Sequence, residues 1–125
     1  MSKTESIAGA TLEVLTPQEV KEKFDRNEVV VIDVRTPAEF AFEHIKGAML
    51  FPLSSFDASK LPGQSEKAIV FHCGSGVRSK RVAEACAAAG ITQLAHMEGG
   101  FGAWKSAGLP YLATDPATGS TVSKP

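Results

Sequence analysis

The chain has few of the residues from which small proteins build disulfide or metal sites. Cysteine occurs only twice in 125 residues, as Cys73 and Cys86, and tryptophan occurs once. The two cysteines stand thirteen positions apart, and they form neither a CxxC pair nor a Cys/His cluster, which argues against a redox dithiol and a zinc site. We therefore expect two free thiols, with no metal and no cofactor.

The chain also lacks an excess of charge and any long apolar run. Thirteen Lys and Arg residues face fourteen Asp and Glu residues, for a net charge of -1. This balance provides no general attraction for nucleic acid or an anionic membrane. Apolar runs fall short of the roughly 18 residues of a membrane span, and the first residues lack a signal-peptide core. We expect a cytoplasmic protein with no nucleic-acid or membrane partner, so any preference for anions must be local.

The length and composition fit one globular domain with its own core. At 125 residues and 43% hydrophobic content, the chain needs no covalent cross-link to fold. Residues 1–9 are expected to be a flexible segment and residues 10–112 the domain. Residues 113–125 are rich in Pro, Gly, Ser and Thr and lack apolar anchors, which predicts a disordered tail.

Strand and helix patterns alternate along the domain. Short apolar runs predict five strands, at residues 10–16, 28–35, 48–53, 67–72 and 92–97. Capping residues, helical spacing and terminal glycines predict four helices, at residues 17–27, 37–45, 79–89 and within 99–107. Such alternation predicts an α/β fold with a parallel sheet covered by helices on both faces.

Cys73 follows a predicted buried strand directly, at the carboxyl end where parallel sheets gather ligands. After it come the residues of a short loop and the start of a helix, which together we call the Cys73 loop: Gly74, Ser75, Gly76, Val77, Arg78 and Ser79. Its glycines allow successive N–H groups to turn inward, and the helix N-terminus and Arg78 add positive charge. These groups favour a thiolate, so Cys73 is predicted to be a nucleophile. Cys86, on the apolar face of the following helix, is predicted to be a core residue.

The chain has three histidines that could act as a base for the Cys73 thiol, as in a Cys/His hydrolase. His72 adjoins Cys73, but neighbouring strand residues point to opposite faces of a sheet. His44 and His96 could approach only through the fold, and a single histidine at a loop or strand end is more often a hydrogen-bonded structural residue. A preformed thiolate would need no base.

Three motifs in order resemble the signatures of the rhodanese family of sulfurtransferases, over about residues 12–110. They are VVVIDVRTPAEFAFEHIKGAMLFPL, FHCGSGVRS and MEGGFGAWKSAGLP. The resemblance implies a small α/β domain with a central parallel five-stranded sheet. It also implies that Cys73 takes a sulfane sulfur from a small anionic donor, becomes a persulfide, and passes the sulfur to cyanide, a thiol or a sulfur-relay protein.

The resemblance also implies roles for individual residues. Backbone N–H groups of the Cys73 loop would surround the persulfide, while Arg78 would bind sulfite-like oxygens or tether the loop. Asp33 and Arg35 would face the same rim or form an internal salt bridge. Many efficient thiosulfate sulfurtransferases carry basic residues directly after the cysteine, whereas Gly74 and Ser75 are neutral. The expected donor is therefore a protein or small-molecule persulfide, with thiosulfate a poor substitute.

Two other functions compete with sulfur transfer. Cysteine phosphatases and arsenate reductases use a similar Cys–Arg loop, but phosphatases place five residues between Cys and Arg, whereas four separate Cys73 from Arg78. Since a tetrahedral phosphate needs a wider ring of donors than one sulfur atom, the shorter loop favours sulfur transfer. The other alternative is a persulfide carrier or regulatory binding module with low turnover; such modules usually lose the cysteine, which this chain retains.

Overall fold

The computed structural model describes residues 3–125. The expected flexible segment therefore includes two residues, 1 and 2, that lie outside the described part. Two 3₁₀ turns, Leu53–Ser55 and Ala58–Lys60, precede the sixth strand. The strands and helices follow in the order β1 (Lys3–Ile7), β2 (Ala10–Leu15), α1 (Pro17–Asp25), β3 (Val29–Asp33), α2 (Pro37–Phe42), β4 (Glu43–His44), β5 (Met49–Leu50), β6 (Ala68–His72), α3 (Val77–Ala88), β7 (Gln93–Met97), α4 (Gly100–Ser106), β8 (Tyr111–Thr114) and β9 (Thr121–Lys124).

The main sheet has the strand order β1-β2-β7-β6-β3-β5. Its last five strands are mutually parallel, and they are the five that the sequence predicts. The α/β prediction is confirmed, but the main sheet has six strands rather than five, since β1 pairs antiparallel with β2. A second sheet has the order β4-β8-β9. Within residues 3–125, no helix combines the length and apolar character needed to cross a membrane.

For residues 3–9, the extra strand differs from the flexible segment that was expected over residues 1–9. Ala8 and Gly9 form a two-residue turn with φ values of 44° and 81°, a sign that suits the right-handed twist of a hairpin. Ile7 is buried in the core as the last residue of β1. Ala-Gly is a weak hairpin signal compared with Asn-Gly, and four of the five β1 residues are exposed, so the pattern did not indicate a strand.

The structure also differs from the expected disordered tail at residues 113–125. Strand β8 crosses the predicted domain boundary and pairs with β4 on one side and β9 on the other. The connecting turn is closed by the Gly119 N–H, which donates to the Asp115 carbonyl at 2.7 Å, while Gly119 has a φ of +74°. Backbone pairing orders this hairpin, so its polar composition was a poor guide.

Helices cover both faces of the main sheet, and the sheet separates the core into two layers. On one face, α3 packs its apolar side with Val82 and Cys86 inward. On the other face, α1 contributes Val20, and α4 contributes Phe101 and Trp104. Because α3 and α4 begin on opposite sides of the carboxyl end of β6, the residues that follow β6 lie between two helix N-termini.

The two core layers lead to a test of stability. Leu12 is fully buried, so Leu12→Ala should lower the free energy of unfolding by about 2–5 kcal/mol through lost burial and a residual cavity. Phe42 is 62% exposed, so Phe42→Ala should change the free energy of unfolding by about 0.5 kcal/mol or less. Urea denaturation of both variants measures the difference. Equal losses would contradict this assignment of the core.

Candidate active site

Cys73 is fully buried at the carboxyl end of β6, with its sulfur inside the turn of the Cys73 loop. The Gly76 N–H donates to the Cys73 Sγ at 3.0 Å, and the Ser79 Oγ lies 3.7 Å from the same sulfur. The sulfur is therefore surrounded by hydrogen-bonding groups of the loop that follows it. Both cysteines are free thiols, as the sequence predicts.

Gly76 sets the curvature of the loop. Its φ of 107° is a left-handed conformation that glycine adopts without strain, and it is the N-cap of α3. The helix consequently begins at Val77, two residues before the predicted start at Ser79. This earlier start brings Ser79 into the first turn, where its hydroxyl faces back toward Cys73 and the Gly76 carbonyl.

The first turn of α4 fixes the orientation of the loop peptides. The Phe101 N–H donates to the Cys73 carbonyl at 2.7 Å, and the Gly102 N–H donates to the Gly74 carbonyl at 3.1 Å. In a trans peptide the C=O and the following N–H point in opposite directions. Because these carbonyls point to α4, the N–H groups of Gly74 and Ser75 point away from it, toward the interior of the turn.

Gly100 makes this close approach possible. A Cβ at Gly100 would lie 2.4 Å from the Cys73 carbonyl oxygen and 2.6 Å from the Gly74 carbonyl carbon. Both neighbours are backbone atoms of the loop and cannot turn aside as a flexible side chain would. The residue also has a φ of +61°. Glycine at this position is therefore required by both space and backbone conformation.

The two cysteines have pKa values shifted in opposite directions. Burial raises the pKa of Cys73, but the N–H groups of Ser79, Gly76 and Ser75 and the Ser79 hydroxyl outweigh it, so the net shift is downward. Burial alone acts on Cys86 and raises its pKa to about 11. The hydrogen-bonding groups of the loop therefore distinguish Cys73 from an equally buried thiol.

The Arg78 guanidinium forms a two-pronged ion pair with Glu39 of α2. Arg78 Nη1 and Nη2 lie 2.7 and 3.0 Å from the two carboxylate oxygens. Hydrogen bonds from Arg78 lower the pKa of Glu39 to about 2, so the pair stays ionised throughout neutral and mildly acidic pH. The sequence left two roles for Arg78, binding sulfite-like oxygens or tethering the loop. The contact with Glu39 corresponds to the second role, because it joins the loop to α2.

Asp33 and Arg35 form a buried internal ion pair. The Arg35 Nε lies 3.0 Å from both oxygens of Asp33, and its Nη2 donates to the Glu43 carbonyl at 2.7 Å. The guanidinium also stacks 4.5 Å from the Phe101 ring centroid. Of the two roles expected for Asp33 and Arg35, these contacts correspond to the internal salt bridge and not to a position on the rim around Cys73. They also join the end of β3 to β4 and α4.

The three histidines occupy different surroundings. His44 Nδ1 lies 2.7 Å from the Phe40 carbonyl, and the two rings stack. Burial lowers the pKa of His72, whose ring nitrogens lie 3.3 Å from the Cys73 carbonyl oxygen and 3.6 Å from an Asp33 oxygen. Only His96 is connected to the loop by a side-chain contact, since its Nδ1 lies 2.8 Å from the Ser79 Oγ.

Sequence reasoning missed Glu39 and Gly100 as partners of the Cys73 loop, and it considered His96 only as one of three histidines that could act as a base. Glu39 gave only a helix-start signal, because it forms a capping box with Thr36. The Gly99-Gly100 pair was recognised as part of a motif without its contact. His96 gave no signal, because its nearness to Ser79 depends on β7 lying beside β6. Across residues 3–125, no cluster of three or more His, Cys, Asp or Glu residues could hold a metal.

Known proteins resemble this chain over most of its length. The family described as "Rhodanese-like domain" matches residues 16–107. Thiosulfate sulfurtransferase GlpE of Haemophilus influenzae is 32% identical over 100 residues, covering 80% of this chain and 94% of GlpE. A rhodanese-related protein from Thermoplasma volcanium superimposes with a TM-score of 0.69 at 25% identity, covering 78% of this chain and 95% of that one.

Two other relatives are longer proteins. An uncharacterized protein from Synechocystis, slr1261, is 38% identical over 103 residues, which are 82% of this chain. The probable adenylyltransferase/sulfurtransferase MoeZ of Mycobacterium tuberculosis is 36% identical over 95 residues, which are 72% of this chain. The chain spans 58% of the first protein and 24% of the second.

The contact at Gly100 gives a test with a matched control. Gly100→Ala places a methyl group against the loop backbone and should lower the rate of Cys73 alkylation at neutral pH by tenfold or more, on the order of 1.4 kcal/mol of lost thiolate stabilisation. Gly108→Ala carries the same positive-φ strain, with a φ of +74°, but has open space around the new methyl. Its alkylation rate should match the wild type. Equal rates in the two variants would contradict the proposed contact.

Proposed function

Since this chain belongs to the rhodanese-like domain family, we propose that it is a sulfurtransferase that carries a sulfane sulfur as a persulfide on Cys73. The observation that carries the proposal is the position of the Cys73 sulfur, which is buried yet surrounded by loop N–H donors that lower the pKa of its thiol. A thiolate is the form that attacks sulfur. Sulfurtransferase relatives such as GlpE support the reaction class.

The loading step would form one S–S bond and break another. The Cys73 thiolate attacks the outer sulfur of the donor, and the donor's remaining group, sulfite from thiosulfate or a thiolate from a persulfide, leaves with the bonding electron pair. Cys73 then carries the persulfide. The inward N–H groups of Ser75 and Gly76 stabilise the anionic outer sulfur, as they do the thiolate.

The transfer step would return Cys73 to its thiolate. A thiolate or cyanide acceptor attacks the outer sulfur of the persulfide, and the electron pair of the broken S–S bond returns to the Cys73 sulfur. Both steps leave a stable anion, so neither requires a proton at the leaving group. The same loop serves both steps, because the negative charge lies either on the Cys73 sulfur or on the outer sulfur bonded to it.

The pairing of Arg78 favours donors of low charge over thiosulfate. Its guanidinium is already neutralised by Glu39, and Gly74 and Ser75 add no charge of their own. A cavity of about 230 Å³ beside Arg78 includes Val34, Pro52 and Leu53 in its lining. A persulfide with an organic group suits these surroundings better than an inorganic dianion, so we assign small-molecule or protein persulfides as the donors.

A persulfide carrier with low turnover is a second candidate. The observation in its favour is that MoeZ, which the chain matches over only 24% of its length, is itself described as a probable adenylyltransferase/sulfurtransferase. A carrier would be loaded at Cys73 in the same way, but its acceptor would be a partner protein. Loading and turnover therefore need to be measured separately.

The persulfide predicts a covalent change that the intact mass reports. Incubation with thiosulfate or cysteine persulfide should add one sulfur atom, and cyanide should remove it. Cys73→Ser should abolish the gain, while Cys86→Ser should retain it, because burial raises the pKa of Cys86 to about 11. Hydrolysis of an aryl phosphate by a wild type that never gains sulfur would show that the chain is not a sulfurtransferase.

The ion pair predicts a change in donor preference. Glu39→Gln keeps a capping-box side chain for α2 but frees Arg78 to bind an anion. The kcat/KM for thiosulfate should rise about fivefold, as expected from about 1 kcal/mol of new charge-assisted hydrogen bonding, with little change for cysteine persulfide.

A charge-matched control accompanies this variant. Glu84→Gln removes the same charge from an exposed position of α3, and it should alter neither value. If Glu39→Gln is folded but gains no thiosulfate activity, the assignment of Arg78 as the suppressed anion site is wrong.

A further inference from the structure

Three buried side chains form a continuous hydrogen-bonded path away from the Cys73 sulfur. The Cys73 Sγ lies 3.7 Å from the Ser79 Oγ, which lies 2.8 Å from the His96 Nδ1. Cys73 and Ser79 are fully buried, and His96 is 6% exposed. Cys73 directly follows β6, Ser79 belongs to α3 and His96 to β7. The path exists because β7 lies beside β6 and α3 covers both strands.

The Ser79 hydroxyl has one proton and three polar neighbours, which are the Cys73 Sγ, the His96 Nδ1 and, at 3.2 Å, the Gly76 carbonyl oxygen. In the neutral imidazole, one ring nitrogen accepts a hydrogen bond. When that nitrogen is Nδ1, the Ser79 O–H donates to His96 and the Ser79 Oγ accepts from the Cys73 S–H. When Nδ1 carries a proton, His96 donates to Ser79, and the Ser79 O–H donates to the Gly76 carbonyl or to the Cys73 sulfur. The direction of these bonds therefore depends on the proton at His96.

We propose that His96 is a positioning residue that accepts the proton of the Cys73 thiol through the Ser79 hydroxyl and so generates the thiolate. The S–H bond of Cys73 breaks and its proton bonds to the Ser79 Oγ, while the original hydroxyl proton bonds to the His96 Nδ1. The electron pair stays on sulfur. The products are the Cys73 thiolate and the His96 imidazolium, and Ser79 between them again carries one hydroxyl proton. This inference rests on the proposed function, because it explains how the nucleophile of that reaction forms.

The surroundings of His96 favour its neutral imidazole, the form with a free nitrogen for the incoming proton. Burial lowers the pKa of His96, and Lys80 of α3 lowers it further, whereas Glu5 of β1 and Glu98 after β7 raise it. Glu5 is paired with Lys80 at 2.9 Å. The lowered pKa keeps the imidazole neutral, which is the form that can accept a proton, and Glu5 and Glu98 offset part of the cost that burial imposes on the imidazolium. The buried Cys73 has no exposed surface of its own from which a proton can leave.

The test measures ionisation of Cys73 without any sulfur donor. In a Cys86→Ser background, the rate of alkylation by iodoacetamide is followed from pH 5 to 10 for the parent chain and for His96→Asn. Asparagine keeps a hydrogen-bonding group near the Nδ1 position but cannot take a proton. We expect its profile to shift about one pH unit upward and its rate at pH 6.5 to fall about tenfold.

The controls separate this inference from the proposed function. His44→Asn, whose ring is bonded to the Phe40 carbonyl, should leave the profile unchanged. Superimposable profiles for His96→Asn and the parent would overturn the proton path, even if persulfide loading succeeds. Conversely, a shifted profile in a chain that never gains sulfur would support the path and reject only the sulfurtransferase function.

A second measurement avoids any change at His96. The protonation of the His96 imidazole is followed by NMR in the wild type and in Cys73→Ser. Because coupling between two sites is reciprocal, the thiolate should stabilise the imidazolium, so the pKa of His96 should be higher in the wild type. Equal pKa values in the two proteins would overturn the proposal.

Discussion

The contact between the N-terminus of α4 and the backbone of the Cys73 loop is the constraint on which the site depends. The N–H groups of Phe101 and Gly102 fix two loop carbonyls, and only a glycine at position 100 allows the approach. This fixes which way the neighbouring N–H groups point, so a buried thiol gains donors that favour its ionised form. Trp104 of the same short helix is buried in the core, which connects the packing of the domain to the chemistry of the loop.

Charged groups near the site are paired with one another before any substrate binds. Arg78 is paired with Glu39, and Arg35 is paired with Asp33 in the core. Buried or half-buried charges need partners because their desolvation is otherwise costly. The consequence is a candidate site in which negative charge on Cys73 is stabilised mainly by backbone N–H groups. Such a site suits charge concentrated on one sulfur atom better than charge spread over a larger oxyanion.

The sequence predicted the parallel strands and their helices because each gives a local signal. Buried parallel strands are continuous apolar runs, and the helices begin at capping residues such as Thr16 and Thr36. The two hairpins gave weaker signals. The Ala8-Gly9 turn lacks the usual hairpin residues, and residues 113–125 are polar because backbone pairing rather than apolar burial orders them. Apolar composition indicates which segments are buried, so it does not reveal elements that are stabilised mainly by hydrogen bonds.

The sequence by itself determined the fold class, and it pointed to Cys73 and the loop that follows it as the candidate site, because these depend on residues adjacent in the chain. The tertiary structure alone decided the partners of that loop. Glu39 lies 39 positions before Arg78, and His96 lies 17 positions after Ser79. Their contacts follow from strand order and helix packing, which bring distant positions within hydrogen-bonding distance and leave no periodicity or motif in the chain.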